Sequence, residues 1–332
     1  MRGFEYERLS LNDRQLYDDL LSLLENFCAE IIIKDNTYEH IDEIYRAVLA
    51  DNPQLFWLSG GSSASIMTSA LETVVTFRPK WNEKTISSVL RKKALCLERL
   101  VSDIVKSAKR YNSAWEQALY VHDYIIDESD YSLGSSDVYS AYGCLINHKA
   151  VCAGYAAAFQ LIMNRLSIPC GRISGTKNDN CKNESDHEWN YVFLNGDYYY
   201  IDVTWDDPVA EEFCATSQKT HHYFCISDNE LCLTHRIVHN GFVPRCVSTK
   251  LNYYSYNHFF LDNYSFSALS AIAAEQLKSN CYFTVKFGSK SEMLRAKQDL
   301  LDNNGVFRIQ GIKRNVSYSI SKSGLILTVE NS

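Results

Sequence analysis

Residues 186–205, DHEWNYVFLNGDYYYIDVTW, decide how this chain folds. Two alternating apolar runs flank Asn195-Gly196, and both residues accept the positive φ that a tight hairpin turn demands. The runs predict strands from Glu188 to Leu194 and from Tyr198 to Trp205. A turn centred between residues 195 and 196 sets Trp189 opposite Asp202 and His187 opposite Thr204. Side chains alternate along a strand, so those four share one face. His187 and Asp202 become diagonal neighbours, about 7–8 Å apart at Cα and within side-chain reach. A histidine held by a carboxylate one strand away supplies a base and the group that orients it.

A nucleophile is the missing partner. Residues 149–156 read KAVCAGYA, and a helix is predicted from Cys152 to Leu166 with Tyr155, Phe159, Ile162, Met163 and Leu166 on one side. A thiol at a helix N-terminus meets the positive end of the backbone dipole, which favours thiolate, and a neighbouring imidazolium favours it further. Ala153 and Gly154 leave room at the sulfur. Thiolate, imidazole and carboxylate together suit attack on an amide carbonyl.

These segments carry a resemblance. Lys149–Ala156, Asp186–Asn190 and Tyr200–Pro208 resemble the bacterial transglutaminase-like proteins, Cys-His-Asp members of the papain-like superfamily. Val121–Tyr124, Ala141–Leu145 and His222–Phe224 extend the likeness, which covers about residues 110–240. The resemblance implies an α+β fold: a papain-like, transglutaminase-like core with the Cys helix packed on an antiparallel sheet carrying His and Asp. It implies that Cys152 is the nucleophile, His187 the general base and Asp202 the residue that orients it. The implied reaction is acyl transfer from a carboxamide, often of glutamine, through a thioester to an amine or water. The implied partners are a protein or peptide amide and, for transamidation, an amine; the chemistry requires no metal or organic cofactor. Where that family commonly has alanine after the histidine, this chain has Glu188. By alternation Glu188 faces away from His187, and a buried face there requires a partner for its charge.

Three functions stay open at this point: transamidation, hydrolysis by a cysteine peptidase or deamidase, and an inert peptide-binding module. The backbone amide of Cys152 is one oxyanion donor. Tyr142 is the first choice for a second, with Asn147 and His148 as alternatives. Trp189 and Trp205 flank the triad in sequence and are expected to wall the cleft. Asp206-Asp207-Pro208 reads as a turn.

Working outward, the chain has 332 residues, 46 % of them hydrophobic and 22 % charged, which suits a globular protein, and the length alone gives about two domains. A net charge of −7 disfavours broad binding to nucleic acid or to an anionic membrane. No apolar run reaches the ~18 residues of a transmembrane helix, and the charged start MRGFEYERLS has no secretory h-region, so the expectation is a cytoplasmic protein. Eleven cysteines on so long a chain read mostly as reduced, buried thiols. His221, His222, Cys225, Cys232, His235 and His239 lack the tight spacing of a zinc site. His122, on an apolar helix face, reads as a satisfied core histidine.

Three regions follow. Residues 1–110 are read as a mainly helical N-terminal domain, with a strand or two over 54–79 and a turn at Gly60-Gly61-Ser62-Ser63. Residues 111–245 are the transglutaminase-like core, opened by a capping box at Ser113 and Glu116. Residues 246–332 are a small α/β domain.

Overall fold

The computed structural model describes residues 3–33, 40–68, 73–82, 88–134, 136–177, 185–208, 219–239, 241–313 and 315–331. The chain opens with α1 (Phe4–Arg8), α2 (Leu11–Glu25), β1 (Ile31–Ile33), α3 (Ile41–Asp51), β2 (Leu58–Thr68), β3 (Thr73–Trp81) and α4 (Ser88–Ala108). Ser10 caps α2 by accepting from the Asp13 amide. β1, β3 and β2 form an antiparallel sheet. Gly60-Gly61-Ser62-Ser63 is not a turn but part of β2. The register against β3 slips between Leu58 and Ser62, and small residues suit such an irregularity.

The middle region contains α5 (Ala114–Glu128), β4 (Asp130–Tyr131), α6 (Ala141–Leu145), β5 (Lys149–Ala150), α7 (Cys152–Arg165), β6 (Cys170–Lys177), β7 (Ser185–Leu194), β8 (Asp197–Ile201), α8 (Val203–Asp206), β9 (Phe224–Ile226), α9 (Asp228–Leu231) and β10 (His235–Ile237). The Ser113–Glu116 capping box starts α5. A five-stranded antiparallel sheet has the order β10-β6-β7-β8-β9. The Asn195-Gly196 hairpin has the expected register, with Leu194 opposite Asp197 and Asn190 opposite Ile201.

The sheet separates two buried layers. On one side Val192, Leu194, Tyr199 and Ile201 join Tyr155, Phe159 and Ile162 of α7. That same cluster runs on through Leu20, Val48, Phe77 and Ile104, so the first hundred residues and the middle region share one core. On the other side Ile173, Trp189, Tyr191 and Tyr200 pack with Trp205, Tyr223 and Ile226. Each such large side chain withdrawn from water contributes about 1.5–3 kcal/mol, which fixes which face of β7 points to which layer.

The chain ends with α10 (Tyr253–Tyr256), β11 (Phe260–Leu261), α11 (Phe266–Gln276), β12 (Tyr282–Phe287), α12 (Lys290–Lys297), β13 (Val316–Ile320) and β14 (Ile326–Asn331). Its sheet, β11-β12-β14-β13, covers a core of its own that includes Leu269, Phe283, Phe287, Leu300 and Val329. Lys286 on β12 forms a buried ion pair with Glu230 on α9 and so ties this unit to the middle region.

Candidate active site

Cys152 is the first residue of α7, half-buried, and the N-cap Val151 offers no side-chain acceptor to the helix's free amides. The start of α7 is pressed against the preceding loop. A Cβ at Gly154 would sit 2.4 Å from the Val138 carbonyl oxygen and 2.8 Å from the Ala150 methyl, so only glycine permits this approach. Asn190 on β7 ties the helix to the sheet by donating to the carbonyls of Ala156 at 3.0 Å and Gly171 at 3.1 Å. Tyr155 anchors it from below through a 2.6 Å hydrogen bond to Asp207.

β8 ends sooner than the alternation predicts. Ile201 is its last residue, and Asp202 turns out of the sheet as the N-cap of α8, with Oδ1 accepting from the Trp205 amide at 3.1 Å. The expected pairs Trp189–Asp202 and His187–Thr204 therefore do not form, because the β7–β8 ladder ends at Asn190 and Ile201. The capping preference of an aspartate outweighs the strand pattern here. The turn nonetheless swings the carboxylate onto the histidine: His187 Nε2 lies 2.6 Å from Asp202 Oδ2. A carboxylate only accepts, so Nε2 carries a proton and Nδ1 is the nitrogen left available to Cys152, whose thiol contributes to raising the His187 pKa.

Burial by itself would lower the His187 pKa. The charge and hydrogen bond of Asp202, with a smaller contribution from Cys152, outweigh it and raise the value to about 9. Burial likewise pushes Asp202 up, but His187 and His235 hold its carboxyl well below the usual range. Asp202 thus stabilises the charged form that His187 takes on when it accepts a proton.

The aromatic residues divide. Trp189 and Trp205 are buried and flank the imidazole, with ring centroids 5.9 and 5.8 Å from His187. A Cβ at Gly175 would lie 2.6 Å from Trp189 Cη2, so this glycine makes space for the indole. The exposed Lys322, on the turn between β13 and β14, places its ammonium 4.2 Å over the Trp205 ring. Tyr142 stacks on Phe56 at 4.7 Å under the Lys93 ammonium, and these contacts make it part of the wall shared with the N-terminal region. Asn147 donates to Asp137 and His148 contacts the Glu128 carbonyl, both on the exposed surface. Tyr131, not singled out from the sequence, lies where its hydroxyl feels the charges of Cys152 and Asp202, although burial is the larger cause of its raised pKa. Glu188 is half-buried and paired with Arg172 at 3.0 Å, the partner its position calls for.

Asp206-Asp207 is no exposed turn. Both carboxylates are buried; Asp206 accepts from Thr220 and the Tyr223 amide and meets His122 Nε2 at 3.2 Å. His122 is the satisfied core histidine expected, with Nδ1 on Asp123 at 3.0 Å. Among the described residues, two groups gather three metal-ligating atoms within 4.8 Å: His122, Asp123 and His221, and His187, Asp202 and His235. In both, the nitrogens and oxygens already meet one another in hydrogen bonds of 2.6–3.1 Å. The six residues considered for zinc are scattered between these groups and elsewhere. The nine described cysteines are free thiols, and four are buried, fewer than the sequence reading held.

Comparison with known proteins finds likenesses over the same part of the chain. The Transglutaminase-like superfamily pattern matches residues 99–203, which span α4 to the start of α8. These residues form a transglutaminase-like domain. Human kyphoscoliosis peptidase is 24 % identical over 139 residues, covering 38 % of this chain and 20 % of that protein. Among solved structures, a TGase is 12 % identical with a TM-score of 0.31, covering 52 % of this chain and 50 % of that one. The periplasmic domain of TgpA from Pseudomonas aeruginosa bound to ethylmercury is 14 % identical with a TM-score of 0.27, covering 40 % and 55 %. The chain thus spans about a fifth of the human relative and half of the TGase. None of the described helices is long and apolar enough to cross a membrane.

Proposed function

We propose that the chain catalyses thiol-dependent acyl transfer on a carboxamide, with Cys152, His187 and Asp202 as nucleophile, general base and orienting carboxylate. The observation that carries this reading is the bond of His187 Nε2 to Asp202 at 2.6 Å, which makes Nδ1 the nitrogen available to Cys152, a residue that itself helps to raise the His187 pKa. Transfer of the Sγ proton to Nδ1 frees the thiolate to attack the carbonyl carbon. The tetrahedral oxyanion meets the Cys152 amide at the uncapped start of α7. Collapse breaks the C–N bond, and Nδ1–H protonates the departing ammonia or amine. An incoming amine or water then returns a proton to Nδ1 as it opens the thioester. Asp202 keeps Nε2–H in place throughout.

The substrate class is a protein or peptide bearing a glutamine side chain or another amide. Peptide hydrolysis is the second reading, supported by the name of the human relative.

The test is incubation with a glutamine peptide, with and without a primary amine, read by mass spectrometry. Release of ammonia with amine incorporation, absent in Cys152→Ala, is the expected result. Cleavage or deamidation without incorporation would select hydrolysis. Equal product from wild type and Cys152→Ala would overturn the assignment.

A further inference from the structure

His235 takes no part in the steps above, yet it reaches the same oxygen as the general base. Its Nε2 lies 3.1 Å from Asp202 Oδ2, the atom that also receives His187 Nε2. Both rings must present N–H to that acceptor. At the far end of His235, Nδ1 meets Thr234 Oγ1 at 2.9 Å and can accept its hydroxyl proton. The ring is fully buried on β10, and its contact with Asp202 requires a proton on Nε2. Burial lowers its pKa, and His187 and Lys322 add to this against Asp202. The groups facing it are Asp202, His187, Thr234, the cation of Lys322, and the rings of Trp189, Trp205 and Tyr223. Lys177 stands across from it on β6.

We propose that His235 is a positioning residue: its Nε2–H holds the Asp202 carboxylate on His187 and takes up part of the negative charge that the imidazolium would otherwise face alone. This rests on the reading of Cys152 and His187 given above. Both Nε2 protons stay where they are during the reaction, and only the Sγ proton travels, to Nδ1 of His187 and on to the leaving nitrogen. The donor matters most when His187 is neutral, because Asp202 is then a buried anion without a counter-charge. Removing it should favour imidazolium.

The experiment is an NMR titration of the His187 ring in the full chain, for wild type, His235→Phe and His235→Gln, with His187→Gln for assignment. The Phe variant keeps a ring without a donor and should move the His187 titration upward by about half to one pH unit. The Gln variant restores an N–H and should return it towards wild type. Thermal melts check that both fold. If the Phe variant does not fold, Thr234→Val, which frees the His235 tautomer, should give a smaller shift in the same direction. An unchanged His187 titration, or Gln behaving as Phe does, overturns the proposal and makes His235 a filler of volume. The reading of the nucleophile fails separately, if iodoacetamide labels Cys152 equally fast with and without His187.

Discussion

Two of the three buried imidazoles among the described residues, His187 and His122, are each bound to a carboxylate at one end of α8 and are pushed to about 9 by their carboxylate partners against the effect of burial. They differ in what remains uncommitted. His122 has both nitrogens on carboxylates, Asp123 and Asp206, and no exposed surface. His187 gives Nε2 to Asp202 and has no carboxylate on Nδ1, the nitrogen available to Cys152. A buried histidine held by a carboxylate is therefore no sign of catalysis by itself. The informative feature is a free nitrogen beside a nucleophile.

Substitution breaks or sharpens that contrast most strongly. His187→Ala should lower Cys152-dependent product formation by about 10³-fold or more while the protein still folds. His122→Leu should do the reverse. It leaves Asp206 and Asp123 without their buried partner and should cost about 3–5 kcal/mol in denaturant unfolding, with activity per folded molecule little changed. Loss of activity without loss of stability in the His122 variant would erase the distinction.

The pH dependence of stability is the next handle. Both imidazoles have folded pKa values above their ordinary value of about 6.5. Their contribution is complete below that pH and is lost as pH rises through about 9. The urea midpoint should fall over this window, and less steeply in His122→Leu. His222 runs the other way: burial depresses it to about 4, so its contribution is present above pH 6.5 and lost on acidification towards 4. A wild-type midpoint that stays level from pH 6.5 to 9 would contradict the charged state of both centres.

The smallest expected effect lies at the rim. Lys322→Ala removes one exposed cation from the Trp205 ring, worth about 0.5–1 kcal/mol. It should shift thermal unfolding slightly and leave the two histidine centres distinct. A larger loss of activity than of stability would show that the C-terminal turn acts on the site through Trp205.

Much of this was legible in residues 186–205. The Asn-Gly turn set the hairpin register, and the alternation brought His187 and Asp202 to one region. The strand was read past its end because Tyr-Ile-Asp-Val-Thr-Trp continues the pattern of side chains. What stops it is a capping bond from Asp202 to the Trp205 amide, a local competitor that periodicity does not register. The place of His235 beside Asp202 is hidden for another reason. It is 33 residues from Asp202, and only the pairing of β10 with β6 brings it near. Gly60-Gly61-Ser62-Ser63 misled by composition, since small residues serve a bulged strand as well as a turn. Glu188 was read correctly, because alternation placed its charge on a face where Arg172 waits.

Asp202 answers to two demands at once. Oδ1 starts α8, and Oδ2 receives both imidazoles. Asparagine caps a helix about as well as aspartate, but it brings an amide where His187 meets a charge. Exchange of a single atom at this position would keep the scaffold and silence the chemistry. A lineage could pass that way from turnover to mere recognition without ever leaving the fold.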